Sequence, residues 1–405
     1  MWKPRHKKVI EIPSGADSTD DDISLFRGGP FYRAQAFMHL IEPGRWNLGR
    51  RVAIILTITW LPLVILTAVF SPDRLLGLLK NYTVYSRIAI AVPVLLIGQF
   101  LMDDRSCAIV AHIRNAKLLG GEDLVKVKSL LTTLRRLRDS VFPELLIVAV
   151  IIVEIALVGK SKLTIAPDFA VYRDGGVARL TQAGWYYWLV SLPIYQFLLA
   201  LNLWKWLVWS FVLVRLSRMN LRLVATHPDA HGGLGFLGLS AAGFTPIAFA
   251  LSAAIGGDWR NQILHYGASL SSFKLPAIIL FVLMFICALA PLSFFVVRLT
   301  LLRKRALLEY GVLAQAHVVD FHDKWFSARE SNREPHFTAQ EVSALADLTI
   351  AYGHIKRMRP FPADISTLVG LALAVAAPLF PVVLAEIPFS VIVKGLFQAV
   401  KAVPF

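Results

Sequence analysis

The chain has 405 residues, of which 56% are apolar and 17% are charged, and its formal net charge is +15. A mean hydropathy of +0.59 is far above that of soluble globular proteins, so the composition excludes a soluble domain and indicates an integral membrane protein. The excess of lysine and arginine is mainly a topology signal, and it predicts no nucleic-acid partner.

Four long apolar runs are each sufficient to cross a membrane. The hydrocarbon layer is roughly 30 Å thick, which about 20 helical residues cover at 1.5 Å per residue. The four runs are 52–70, 185–214, 276–297 and 368–384. Residues 237–255 form a fifth candidate, whose Gly, Ala and Ser content suits close packing between membrane helices.

Two further runs carry weaker signals. Residues 88–102 are short for a span, and 145–158 are interrupted by Glu154. The distribution of lysine and arginine predicts that both cross, because removing either would move a basic loop to the outer side. This threading predicts an all-α polytopic integral membrane protein with about seven transmembrane helices and a cytosolic N-terminus.

The threading also divides the chain into four parts. Residues 1–50 are predicted to be a cytosolic tail with a membrane-surface segment, 51–297 a six-helix region with a basic inner loop at 102–140, 298–366 a cytosolic helical hairpin, and 367–405 the seventh helix with an outer interfacial tail. Pro378 and Pro381 remove intrahelical hydrogen bonds, so the seventh helix is expected to be kinked.

A loop between the fourth and fifth helices combines glycines with arginines. Backbone N–H groups at a helix N-terminus and guanidinium groups both attract anions, so the loop is predicted to bind a lipid phosphate or a small anion. The residues of this predicted site are Arg215, Arg218, Arg222, Gly232, Gly233 and Gly235.

The same loop has two other interpretations. The spacing His227-x-Asp229-x-His231 supplies N, O and N ligands that a divalent metal accepts, and this metal is the only cofactor the sequence suggests. Alternatively, Pro228 and the glycines form a tight turn that Asp229 caps. The sequence leaves the anion site, the metal site and the turn open.

Polar residues inside the predicted spans indicate a second candidate site. Glu154, Gln196, Asn202 and Lys205 are predicted to line a pathway, because polar groups at membrane depth are costly and commonly functional. Depth along the helices allows Lys205 to contact Glu144 but not Glu154. The alternative for Lys205 is a side chain that reaches inward to the headgroups.

These features favour a permeation protein for a small ion, with an anion favoured by the basic inner surface. The first alternative is a membrane sensor or scaffold that binds lipid, nucleotide or protein at its inner surface. The second is a metal-dependent membrane enzyme, although no common catalytic motif is present. The expected partners are anionic lipid headgroups and further copies of the chain, and the short loops favour a bacterial inner membrane.

Overall fold

The structure is a computed structural model that describes residues 24–41, 46–116, 118–158, 167, 169–174, 177–330 and 339–386. This part of the chain is almost entirely helical, and seven of its segments are long and apolar enough to cross a membrane. Numbered one to seven, the spans are Leu48–Phe70, Tyr82–Asn115, Val125–Leu157, Gln182–Ser217, Gly235–Tyr266, Leu270–Ser293 and Ile365–Val383. The predicted all-α membrane fold is therefore confirmed.

Several spans are built from more than one helix. In chain order the helices are α1 (Pro30–Phe37), α2 (Leu48–Phe70), α3 (Leu75–Leu79), α4 (Tyr82–Tyr85), α5 (Val92–Asn115), α6 (Gly121–Asp139), α7 (Phe142–Val158), α8 (Gln182–Tyr186), α9 (Leu192–Ser217), α10 (Gly238–Tyr266), α11 (Lys274–Ser293), α12 (Val296–Glu330), α13 (Ala339–Arg357), α14 (Ile365–Ala376) and α15 (Phe380–Val383). Two π-helical stretches, Ser86–Ala91 and Tyr187–Ser191, join α4 to α5 and α8 to α9.

The two weaker apolar runs correspond to spans two and three. Asp103 follows the apolar run of span two, but α5 continues through it to Asn115 and buries its side chain. Span three begins inside the basic segment 102–140, because α6 and α7 are separated by only two residues, Ser140 and Val141. Both predicted crossings are therefore present, and both are longer than hydropathy alone indicates.

The centre of the bundle is formed by α5, α9 and α10. The most apolar window of span five is 67% buried by protein, against 17% for span one, so α10 is central and α2 is peripheral. Small residues allow α10 to approach α5 closely: a Cβ on Gly98 would lie 2.7 Å from the Pro246 side chain. This contact explains the Gly, Ala and Ser content of the fifth apolar run.

The remaining elements surround this centre. Span seven changes from α14 to a 3₁₀ turn at Ala377–Leu379 before α15, as the two prolines predict. The long helix α12 packs against α13 as a hairpin, and residues 294 and 295 separate it from α11. A short antiparallel hairpin pairs Val171–Asp174 with Val177–Leu180, which the sequence did not predict.

Residues 24–41 form a segment that packs into the bundle. Within this N-terminal segment, Ser24, Leu25, Phe26 and Gln35 are all buried, although the sequence indicated a segment lying along the membrane surface. It contains α1 and contacts groups on spans one, two and three. We call the side of the bundle on which α1 lies the inner side.

Candidate functional site

Polar side chains from five helices converge beside the N-terminal segment. We call this set the inner polar cluster, and its members are Gln35, Arg51, Gln99, Asp103, Glu144 and Lys205, all of them buried. They belong to α1, α2, α5, α7 and α9. Because each buried charge or amide is costly without a partner, the cluster depends on contacts among its members and with the chain around them.

Asp103 binds the start of the N-terminal segment. Its Oδ1 accepts hydrogen bonds from Ser24 Oγ at 2.6 Å, Leu25 N at 2.7 Å and Phe26 N at 3.0 Å. Its Oδ2 lies 3.7 Å from Arg27 Nε. One carboxyl group on α5 therefore fixes four consecutive residues of the segment.

Two further acidic residues bind the start of α1. Phe31 N donates to Glu144 Oε2 at 2.8 Å, and Gly29 N donates to Asp139 Oδ1 at 3.2 Å. Pro30 occupies the first helical position, where its missing N–H costs nothing. A carboxyl at this helix end also meets the positive end of the helix dipole. These contacts join α1 to the junction of α6 and α7.

Gly29 is required at this junction. Its φ is +88°, a left-handed conformation that residues with a Cβ rarely adopt. A Cβ there would also lie 3.0 Å from both the Arg138 carbonyl oxygen and Glu144 Oε1. A side chain at this position would therefore loosen the contact between α1 and span three.

Lys205 belongs to the inner polar cluster, and its side chain does not reach the protein surface. Only 2% of the residue is exposed, and its Nζ donates to the Arg138 carbonyl oxygen at 3.2 Å. It interacts electrostatically with Glu144, and both residues line one small cavity. The structure thus places Lys205 beside Glu144, as helix depth allows, and excludes the alternative of a side chain reaching the headgroups.

Arg51 also lines this cavity. Its Nε donates to Gln35 Oε1 at 2.7 Å, and its Nη2 donates to Gln99 Oε1 at 2.9 Å. Arg51 Nη1 and Gln99 Nε2 are buried and have no hydrogen-bond partner among the described residues. The cavity measures about 10 Å³, which is the space one water molecule needs. Two buried donors therefore belong to residues that line a space with room for a small acceptor.

Sequence reasoning missed most of this cluster. Arg51 follows Arg50 at the start of an apolar run, a position typical of an interfacial anchor, and nothing in that pattern indicates that only 1% of it is exposed. Gln99 and Asp103 did carry a signal, since residues four apart share one face of a helix. The contribution of Gln35 and Ser24 had no comparable signal in the sequence.

The other predicted pathway residues lie in two places. Asn202 is buried on α9 and donates to the Leu198 carbonyl oxygen of its own helix at 2.8 Å. Gln196 Nε2 donates to Glu154 Oε2 at 2.8 Å and so ties α9 to α7. Glu154 is ten residues from Glu144 on α7, or about 15 Å along the helix. The predicted set is therefore split between the two halves of the membrane region.

A second group of polar residues lies in the outer half. Arg87 Nη1 donates to the Tyr187 hydroxyl at 3.3 Å, and each residue stands on one of the two π-helical stretches. Asp258 on α10 accepts from Thr83 Oγ1 at 3.3 Å and from Gln262 Nε2 at 3.1 Å. We call these residues the outer polar layer. Short π-helical stretches occur frequently at functional sites, but no sequence pattern predicts them here.

An apolar layer separates the two polar groups. Leu95, Leu96, Leu198 and Ala250 belong to one buried hydrophobic cluster and are almost fully inaccessible. Arg87 and Gln99 are twelve residues apart in span two, which corresponds to about 18 Å along a helix. Polar groups thus occupy both halves of the central helices, with hydrocarbon side chains between them.

The glycine loop of the predicted anion site contains its own anion. Asp229 Oδ1 accepts from His231 N at 2.8 Å and from Gly233 N at 3.1 Å, and its Oδ2 accepts from Gly235 N at 2.9 Å. Burial raises the pKa of Asp229, but these amides and His227 outweigh it, so the pKa lies below its ordinary value. Positive φ angles at Gly232 and Gly233 permit the tight turn. The geometry is that of a capped turn.

Two arginines of the predicted anion site take part in contacts within the chain. The Arg215 guanidinium lies 5.1 Å from the centre of the Phe211 ring on its own helix. Arg222 donates its backbone N–H to the Leu118 carbonyl oxygen at 2.8 Å and so links this region to the start of α6. The amides of Gly233 and Gly235 already donate to Asp229, so neither N–H is free for an external anion.

The predicted metal ligands His227, Asp229 and His231 contact one another within the turn. His227 Nδ1 lies 2.9 Å from Asp229 Oδ1, but that oxygen already accepts two backbone hydrogen bonds. His231 Nδ1 instead contacts the Asp229 carbonyl oxygen at 2.6 Å. Across the described residues, no group of three His, Cys, Asp or Glu side chains is arranged to hold a metal ion. The Asp229 carboxylate instead accepts hydrogen bonds from backbone N–H groups of the turn.

Comparisons with known proteins add no family to this description. The chain matches no protein-family model, and neither the curated proteins nor the solved structures gave a significant match.

Proposed function

We propose that the protein forms a gated permeation pathway for a small ion, and that residues 24–37 close its inner end. The observation that carries this proposal is the inner polar cluster, in which Arg51 and Lys205 are buried within membrane spans. Ionisable residues at membrane depth commonly mark ion pathways, since few other roles justify their cost.

The N-terminal segment supports a closed state. The hydrogen bonds of Asp103, Asp139 and Glu144 to backbone N–H groups all end on this segment. Its displacement would expose the cavity beside Arg51 and Lys205 to the inner side. The apolar layer at Leu95 and Leu96 lies beyond it, and such hydrophobic constrictions exclude water and ions when narrow.

Charge at the inner end favours an anion as the transported species. Asp103, Asp139 and Glu144 are the acidic side chains that interact electrostatically with Lys205, and each already accepts a hydrogen bond from a backbone N–H group of the N-terminal segment. Arg51 and Lys205 both line the cavity. Fixed positive charge in a low-dielectric pathway raises the local concentration of anions.

Flux through liposomes containing the full chain tests the proposal. Ala at position 29 costs about 1–2 kcal/mol in the left-handed conformation, so Gly29→Ala is expected to raise flux roughly tenfold. Gly77→Ala is the matched control, because a Cβ at Gly77 meets no atom within 4 Å. In the Gly29→Ala background, Lys205→Ala is expected to reduce chloride flux at least about tenfold.

Chloride, potassium and proton gradients are applied separately to each variant. Flux of one ion that rises in Gly29→Ala and falls again on adding Lys205→Ala supports the pathway. No flux of any ion in the native protein or in Gly29→Ala rejects it, provided that both variants reconstitute with the native orientation and thermal stability.

A further inference from the structure

An apolar crevice lies between spans one, three and four. Its volume is about 520 Å³, within the range of ligand-binding pockets. The walls come from α2, α7 and α9 with the adjoining π-helical stretch, and they include Ile58, Ile151, Ile155, Ile194 and Phe197. Gln35 is the one polar residue that lines it among the described residues.

The crevice opens to the surrounding bilayer. Ile58, Ile152 and Leu189 line it and are each about half exposed. On α9 and the stretch before it, the lining extends from Leu189 to Leu198, or about 13 Å along the helix axis. The crevice is therefore long in the direction of the spans, and its walls offer hydrocarbon contacts and almost no hydrogen bonds.

The inner end is closed by the N-terminal segment. Phe31, Gln35, Met38 and Leu40 contribute this end of the lining. Arg50 is exposed and lies one turn before the lining residue Ile54 on the same face of α2. Arg50 thus places positive charge beyond the inner end of an apolar space, the arrangement that complements a phosphate headgroup above a hydrocarbon chain.

We infer that this crevice binds one acyl chain of an anionic phospholipid from the inner leaflet, with the phosphate near Arg50. An apolar space of this size does not hold stable water, and the adjoining fluid is lipid hydrocarbon. A straight chain matches the long axis of the space, and Arg50 selects the headgroup. The bound chain contacts α1 and so stabilises the docked N-terminal segment.

Photolabelling of the full chain in nanodiscs tests this site. The nanodiscs contain phosphatidylethanolamine and phosphatidylglycerol, with a phosphatidylglycerol that carries a diazirine near the end of one chain. Labels are expected on peptides from α7 and α9 near Ile151 and Ile194, and excess unlabelled phosphatidylglycerol should compete for them. General contact with lipid would label the exposed residues of α11 equally and without saturation.

Two variants separate binding in the crevice from contact at the surface. Ile194→Trp fills the crevice and is expected to reduce its labelling about tenfold, the effect of excluding roughly two methylene groups. Val282→Trp is the control, because Val282 is 49% exposed on α11 and does not line the crevice. Arg50→Gln should remove the preference for phosphatidylglycerol over phosphatidylcholine while leaving the fold intact.

Equal labelling of the crevice and α11 in the native protein overturns the inference, as does labelling that Ile194→Trp leaves unchanged. Crosslinks between crevices of two copies would show instead that a second chain occupies the space. If Ile194→Trp fails to fold, saturable competition in the native protein decides the question. The site depends only on the crevice, so its failure leaves the proposed permeation pathway untouched, and a protein without flux can still bind the lipid.

Discussion

The glycine loop and the inner polar cluster show opposite ways of satisfying buried polar groups. In the loop, the Asp229 carboxylate accepts hydrogen bonds from the backbone N–H groups of His231, Gly233 and Gly235, all within six residues of it. In the cluster, Gln35 meets Arg51, and Arg51 meets Gln99, forty-eight residues further on. A dense motif can therefore be a self-contained turn, while scattered single polar residues can form the larger site.

The largest effect is expected from Asp103→Ala. This change removes the acceptor of three buried donors, Ser24 Oγ, Leu25 N and Phe26 N, and should destabilise the fold by about 3 kcal/mol or more. Thermal unfolding in nanodiscs and trypsin cleavage after Arg27 measure it. The neighbouring Asp104 is exposed, so Asp104→Ala is the matched control. Equal stability of the two variants would contradict the role assigned to Asp103.

A smaller, local effect is expected from Asp229→Ala. Three backbone N–H groups lose their acceptor, which should cost about 2 kcal/mol because the loop is only partly buried. Hydrogen exchange at Gly233 and Gly235 should accelerate while α9 and α10 stay protected. His227→Ala should cost under about 1 kcal/mol, since its side chain is 47% exposed. If the loop is an anion site, added phosphate should protect these amides in the native protein.

The stabilisation by Asp229 is expected to depend on pH. Its folded pKa is below the ordinary value of 3.8, so its contribution is fully present above that value and is lost as pH falls through the folded pKa. Comparing the native protein with Asp229→Asn by hydrogen exchange measures this. The difference between them should be constant near neutral pH and shrink below about pH 4. A difference that grows on acidification would show the opposite sign of shift.

The smallest effect on stability is expected from Glu154→Gln. The amide retains an oxygen that accepts from Gln196 Nε2, so the free energy of unfolding should change by less than about 1 kcal/mol. Glu154→Leu removes that acceptor and should cost more. If the pathway passes between α7 and α9, Glu154→Gln should nevertheless change the ion selectivity measured in liposomes. Unchanged selectivity would remove Glu154 from the predicted lining.

The spans could be predicted because the bilayer imposes a simple requirement on them. A helix must supply about 20 apolar residues, so 52–70 and 276–297 are visible without any knowledge of neighbours. The distribution of lysine and arginine added the two weaker apolar runs, 88–102 and 145–158, because basic loops stay on the inner side of a membrane. The short hairpin at Val171–Asp174 and the π-helical stretches depend on local backbone geometry, which hydropathy does not report.

The candidate site was only partly predictable. Lys205 was identified because a charge inside an apolar run is conspicuous, and helix depth placed Glu144 at its level. The burial of Arg51 was not predictable, since it depends on Gln35 and Gln99, which approach it only in the folded bundle. Long-range contacts of this kind leave no local pattern in the sequence.

The docking of the N-terminal segment has a consequence for biosynthesis. The ribosome makes Phe26 well before Lys205, yet the two lie together in the finished protein, with Lys205 Nζ 6.0 Å from the centre of the Phe26 ring. At translation rates of about 5–20 residues per second, roughly ten to forty seconds separate their appearance. The contact with Lys205 cannot form until the fourth helix has been made, so the docking of the segment is completed only late in assembly.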